Sequence, residues 1–445
     1  MEAFEIALVS VFAMLLLIYF GMHISVTLAL ISFVGAWVIT GNATIAFNLL
    51  LIAAEKTVNN FVFAVIPLFV LMGFLVAAAG MGRDAYDIGQ IMLRKVRGGL
   101  GMATVVANAI FASITGASVA SASVFSRVAV PEMIRHGYFG RFAVGTVAGS
   151  SVLGMLIPPS VLLIIYALIA EESVGDLFIA GIGPGLLLTV AFCGLIYIMA
   201  TLFPRLVHVD REEAADGEDE EEETLTAADL WRKALPITAL VLLVLGGLYG
   251  GVFTPVEAGA AGALLALIFA LARRALTWRS FWNVLLDSGN ITATLLFLIC
   301  SASMYSRMLG MSGLPSEMAA IFDNLGAGFY GMLAFYVLVV IVLGTIIDSV
   351  SIMLIMVPLF LAALKFFEID LVWFGIVTVI ATEIGLLTPP LGIAVYVVHS
   401  TLARPDITLK DIFVGSAPFA LAMLFVLILV IAYPPIATWL VSIKL

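Results

Sequence analysis

Two proline pairs interrupt long apolar runs, at Gly154-Met155-Leu156-Ile157-Pro158-Pro159 and at Gly385-Leu386-Leu387-Thr388-Pro389-Pro390. Each follows a stretch of small hydroxyl residues, Gly116-Ala117-Ser118-Val119-Ala120-Ser121-Ala122-Ser123 before the first and Gly344-Thr345-Ile346-Ile347-Asp348-Ser349-Val350-Ser351 before the second. Proline lacks an amide donor and stops a helix from re-forming across the break. A helix that ends inside an apolar layer exposes backbone groups that need partners. Its N-terminus offers N–H groups and partial positive charge, which suit an anion. Its C-terminus and unwound carbonyls, with Ser and Thr hydroxyls, suit a hard cation such as Na⁺.

The candidate Na⁺ ligands are therefore Ser118, Ser121 and Ser123, with Gly149, Ser150 and Gly154, in the first cluster. In the second they are Thr345, Asp348, Ser349 and Ser351, with Thr382, Gly385 and Thr388. Candidate substrate contacts are Ser151, Pro158, Pro159, Arg127, Glu383, Pro389 and Pro390. Small residues also let helices pack closely in membranes, so each alone admits a packing reading. The matched pairing beside two breaks favours a site. Asp348 and Glu383 are the acids of the second cluster, and an ionisable group at membrane depth points to function. Asp348 is read as a Na⁺ ligand, a proton acceptor or a hydrogen-bond anchor for its turn. Arg127 is read as an attractor of an anionic substrate, a snorkelling arginine or a partner of Glu132. Glu257, in Phe253-Thr254-Pro255-Val256-Glu257, lies outside both clusters and is read as structural.

The elements that must hold these residues are membrane helices. Of 445 residues, 63% are hydrophobic and 11% charged, and the mean hydropathy is +1.19, so lipid is the solvent for most of the chain. Apolar runs predict spans near 3–21, 24–40, 61–80, 139–172, 176–203, 234–250, 253–272, 290–310, 370–402 and 408–438. Runs 139–172 and 370–402 hold the breaks. Runs 99–135 and 328–366 turn back at small polar residues and read as re-entrant hairpins. Stretches 47–58 and 277–289, the second with Trp278 and Trp282, read as interfacial arm helices. The first run lacks a basic leader and a cleavage site and is read as a retained span. Cys193 and Cys300 sit in apolar runs as packing residues. The net charge of −10 is local: Asp210–Asp229 carries eleven of thirty acids and reads as a solvated cytoplasmic linker over 204–233.

The two halves repeat. Gly21 matches Gly251, Gly80 matches Gly310, Gly116 matches Gly344, Gly154 matches Gly385 and Asp176 matches Asp411, at shifts of 228 to 235. An ordered set of this kind predicts two units, 1–203 and 234–445, each of five spans and one hairpin. Five is odd, so the second unit is expected inverted. With the N-terminus outside, fifteen basic residues fall inside, against Lys56, Arg307, Lys365 and Lys444 outside. The expected fold is thus an all-α polytopic membrane protein of two inverted repeats.

At these residues the chain resembles the large membrane subunit of TRAP transporters (tripartite ATP-independent periplasmic transporters), over essentially its whole length. The motifs are Gly116–Ser123 followed by Pro131-Glu132-Met133, Ser151–Pro159, Phe253–Ala258 and Thr382–Pro390. The family usually has Thr where Val256 stands, outside the proposed site. The resemblance implies Na⁺-driven uptake of a small organic acid, carboxylate or sulfonate, with no cofactor beyond the coupling ion. It implies two partners: a periplasmic binding protein that delivers the substrate, and a small four-helix membrane subunit, here expected as a separate chain. It places the chain in a bacterial or archaeal cytoplasmic (inner) membrane. It further implies an elevator, with a transport domain of about 61–172 and 290–402 moving against a scaffold.

Two other classes were weighed. A stand-alone Na⁺/dicarboxylate symporter of the divalent-anion type has a similar inverted architecture, but its hairpins carry Ser-Asn-Thr where this chain has Ala120-Ser121-Ala122 and Asp348-Ser349-Val350. An enzyme or channel is disfavoured: His23, His136, His208 and His399 show no metal-ligand spacing or nucleophile–base pairing, and no Walker motif for ATP occurs. Nothing suggests a nucleic-acid partner.

Overall fold

A computed structural model of the chain describes residues 3–208 and 226–443. The acidic run before Thr226, with Arg211, and Lys444 lie outside these residues. Every element described is helical, and extended pairing is limited to one isolated bridge between Tyr138 and His208. The first half runs α1 (Ala3–Tyr19), α2 (Ile24–Thr40), α3 (Ala43–Val58), a 3₁₀ turn (Phe61–Ala64) leading into α4 (Val65–Ala78), α5 (Met81–Leu93), α6 (Gly99–Thr115), α7 (Ser118–Arg135), α8 (Gly140–Ser151), α9 (Leu153–Leu156), α10 (Val161–Ala170), α11 (Val174–Leu202) and α12 (Pro204–Val207). The second runs α13 (Ala227–Val241), a π turn (Leu242–Gly246), α14 (Gly247–Tyr249), α15 (Pro255–Ala272), α16 (Trp278–Ser312), α17 (Leu314–Asn324), α18 (Gly328–Gly344), α19 (Ser349–Phe366), α20 (Leu371–Leu386), α21 (Ile393–Leu402), α22 (Leu409–Ala432) and α23 (Pro435–Ser442).

Local chemistry explains where these helices begin. Thr226, Thr254, Thr277 and Thr408 each cap a helix and form a reciprocal capping box three residues on, with Asp229, Glu257, Ser280 and Asp411. Glu257 is therefore a capping residue. Asn42 starts α3 by accepting from the amides of Thr44 and Ile45.

Among the described residues, seven helices are long and apolar enough to cross a membrane, and the bent pair Gly140–Leu156 with Val161–Ala170 makes up to eight. Helices α1 and α2, at 17 residues, are slightly shorter. Helix α19 qualifies by composition, yet 72% of its apolar window is buried inside the protein, as a hairpin arm requires.

Some expected boundaries shift. The second arm, 277–289, and the span 290–310 form one helix, α16, because no proline interrupts them and a lone Gly289 is tolerated. The span 408–438 stops at Ala432, where Tyr433-Pro434 breaks it and Pro435 opens α23. Helices α5 and α17 were not anticipated, since polar residues interrupt their apolar faces.

The halves interlock. Helix α4 lies along α15 and α16 along α2, α7 lies on α21 and α19 on α10, and α8 lies along α22. Where α8 crosses α22, a methyl on Gly145 would meet the carbonyl carbon of Gly415 at 2.1 Å, so only glycine permits this approach. Ion pairs also bridge the halves: Arg141 to Asp411 at 2.8 Å, Lys233 to Asp87 at 2.5 Å, and Arg273 to Asp84.

Candidate functional site at the hairpin tips

The first turn is set by Gly116, which caps α6 in the left-handed region at φ 63°, before Ala117 leads into α7. This tip rests on the first break. The Gly116 carbonyl accepts from the Val161 amide at 3.2 Å. A methyl on Gly116 would stand 2.2 Å from the Pro159 carbonyl, and one on Gly154 would stand 2.8 Å from the Ala117 carbonyl. Ser160 caps α10 by accepting from the Leu163 amide, and its hydroxyl donates to the Met155 carbonyl.

The second tip, Thr345–Asp348, rests on the second break in the same way. The Thr345 carbonyl accepts from the amides of Leu391 at 3.1 Å and Gly392 at 3.3 Å. Gly344 and Gly385 meet face to face, and a methyl on either would stand 2.7 Å or less from the other's Cα. Both proline pairs, Pro158-Pro159 and Pro389-Pro390, have cis peptide bonds. The pairs differ in surroundings: the first is buried, the second exposed.

Glu383, on α20, joins the tips. It is 1% exposed. Its Oε1 accepts from the Ser349 hydroxyl at 2.9 Å. The Ser118 hydroxyl of the other hairpin faces the same carboxyl, yet Ser118 Oγ and Glu383 Oε2 each lack a well-formed hydrogen bond. Ser121, one turn along α7 on the same face, is also buried with an unpartnered hydroxyl. Buried polar atoms without partners are rare enough that each needs a cause.

The other candidates divide. Asp348 caps α19: its carboxylate accepts from the Ser351 amide at 3.1 Å and from the Ser351 hydroxyl at 2.5 Å. The hydroxyls of Thr345, Thr382 and Thr388 donate to carbonyls of their own helices, at Val342, Val379 and Ile384. Ser151 does the same to Ala148. Ser150 donates to the Thr146 carbonyl and accepts from Asn108 Nδ2 at 2.7 Å. Gly149 is pressed against the Phe419 ring, where a methyl would come within 2.4 Å, so its small size serves α22 rather than the tip. Ser123 is half-buried on another face of α7. Arg127 is exposed, about 13 Å along α7 from Ser118 at the helical rise.

Asn108 and Thr146 escaped the sequence reading. Both are fully buried, and Asn108 Oδ1 and Thr146 Oγ1 lack partners beside Ser150. An amide in the apolar arm of a hairpin was the available signal.

Residues 11–436 match the family described as the tripartite ATP-independent periplasmic transporter, DctM component. The chain is 33% identical to the C4-dicarboxylate TRAP transporter large permease protein DctM of Pseudomonas aeruginosa, over 86% of each chain. It is 28% identical to the sialic acid TRAP transporter large permease protein SiaM of Vibrio cholerae, over 96% of each. Among solved structures, the YdaH transporter of Alcanivorax borkumensis shares the fold, with TM-score 0.60 at 14% identity over 88% of this chain and 89% of that one. A family match across nearly the whole chain, on a helical frame that sets two hairpin tips against two broken helices, places this protein among the TRAP transporter large permeases.

Proposed function

We propose that the chain carries out Na⁺-coupled uptake of a small organic acid, delivered by a periplasmic binding protein, in complex with a small membrane subunit. The observation that carries this reading is the matched pair of tips, each hydrogen-bonded to the break of its own half and both turned to Glu383. Unpartnered hydroxyl and carboxylate oxygens are the hard donors that Na⁺ takes. The N-termini of α7, α10, α19 and α21, beside the tips and breaks, direct partial positive charge inward, which suits a carboxylate or sulfonate. The relatives named for C4-dicarboxylates and sialic acid support an acidic substrate.

The mechanism we favour is an elevator built on two inverted units, with the N-terminus outside. Packing argues for a moving body of α6–α11 with α18–α22, rather than 61–172 with 290–402. Helices α4 and α16 lie along α15 and α2, whereas α11 and α22 lie against the hairpins and broken helices. Helix α10 also touches α4, and α19 touches α16; from the first hairpin, α6 touches α4 and α7 touches α5.

Cysteine pairs test the motion, with Cys193 and Cys300 replaced. A pair on α10 and α4 crosslinks in the present state, and a pair on α21, at Tyr396, and α16 crosslinks only after the body has moved. A single crosslinking pattern with and without Na⁺ and substrate would overturn the elevator.

A further inference from the structure

We infer that Glu383 is a positioning residue that clasps the two hairpin tips, so that the half-sites from the two halves of the chain hold one geometry. The inference deepens the proposed site and rests on it for its meaning in transport, though not for its test.

The two tips are joined covalently only through a long stretch of chain. Ser118 opens α7 and Ser349 opens α19, more than two hundred residues apart, and neither hairpin needs the other to make its own turn. Glu383 is the residue common to both. One carboxylate oxygen is bonded to Ser349 at 2.9 Å, and the other is unpartnered with Ser118 facing it, itself 1% exposed and unpartnered. Among the described residues, the side chains that act on this carboxyl are the two hydroxyls, and none of them is charged.

A buried carboxyl without a cation is costly unless hydrogen bonds and dipoles hold it. Here the N-terminus of α19 supplies a bond from Ser349, and that of α7 brings Ser118 to face the other oxygen. The same contacts act in reverse on the hairpins: a tip that moves away leaves an unmade bond in a dry interior, which is the expensive outcome. The two unpartnered atoms complete each other when the first tip closes on the second. Asp348 has no part in this, because its carboxylate is spent on capping α19.

Hydrogen exchange of the intact protein, read by peptide, tests the clasp. In Glu383→Ala the amides of the second tip, residues 345–351, exchange about tenfold faster, the loss of roughly one hydrogen bond, and those of the first tip, 116–121, exchange faster as well because Ser118 then faces no carboxyl. Glu383→Gln keeps an acceptor for Ser349 and a polar partner for Ser118, and exchanges like the parent. Ser349→Ala loosens the second tip. Unchanged tips in a folded Glu383→Ala protein would overturn the inference. So would a rise confined to α20, which a merely local packing role produces, or equal loosening in Glu383→Gln. If Glu383→Ala does not fold, Ser349→Ala decides: no change at 345–351 overturns the clasp. The readout needs no substrate, ion or partner, so it can fail while the transport reading stands, and the reverse.

Discussion

Replacing Gly385 by alanine should part the second hairpin from its broken helix. The new methyl would stand 2.5 Å from the Gly344 Cα and 2.8 Å from the Ile341 carbonyl oxygen, where ordinary contact begins at 3.4 Å. Both neighbours are backbone, so relief requires the helices α18 and α20 to separate by most of an ångström. Overpacking of this kind costs ~1–3 kcal/mol. Separation also strains the two bonds from Leu391 and Gly392 to the Thr345 carbonyl, each worth about 1 kcal/mol. The total is roughly 3–5 kcal/mol, a large share of the margin of a folded protein. Gly194 is the control, because a methyl there meets nothing within 4 Å. Gly194→Ala sits inside α11 and should stabilise by ~0.5–1 kcal/mol, by limiting the unfolded chain. Thermal unfolding in detergent micelles separates the two, with shifts of opposite sign. A Gly385→Ala protein that melts with the parent, or two alanine variants that fall equally, would refute the close-approach argument.

The cap at α19 makes a second test, since asparagine caps as well as aspartate. Asp348→Asn should keep the melting temperature, whereas Asp348→Ala should lose about 1 kcal/mol; a Na⁺ titration of uptake unchanged in Asp348→Asn would strike Asp348 from the ion ligands. The pair between Arg273 and Asp84 gives a pH dependence at the α5 connector. Burial holds the Asp84 carboxyl above its ordinary value even beside that arginine. An acid shifted upward binds its proton more tightly when folded, so its contribution to stability falls as pH rises from about 3.8 through the raised value. Arg273→Ala removes the partner that favours the charged form, and should cost on the order of 2 kcal/mol near neutral pH and less in acid. Equal melting losses at pH 5 and pH 7.5 would contradict the pairing.

Much of the frame was legible because proline and glycine act locally. Pro158-Pro159 and Pro389-Pro390 end helices wherever they fall, and Gly116 marks a left-handed turn. The hairpins were legible because small polar residues interrupt apolar runs. The site's centre was less so. The bond from Ser349 to Glu383 joins residues on different helices, and periodicity says nothing about which tips converge. Glu383 reads in the sequence as a substrate contact, and its burial beside Ser349 and Ser118 is not visible there. Gly149 and Ser150 read as ligands because they stand near the break, and the sequence does not show that Phe419 packs on the first and Asn108 bonds to the second. Helix α5 went unread because Arg83, Asp84 and Asp87 break its apolar face, and those acids are what bind the other half.

The central claim is that one site built from both halves couples Na⁺ to uptake of an organic acid. It is tested most directly in proteoliposomes holding the chain with its small subunit, supplied with a C4-dicarboxylate or sialic acid, the matching binding protein and an inward Na⁺ gradient. The account predicts accumulation that requires the binding protein and disappears when an ionophore collapses the gradient. Accumulation that survives the loss of the gradient, or runs at full rate without the binding protein, would contradict it.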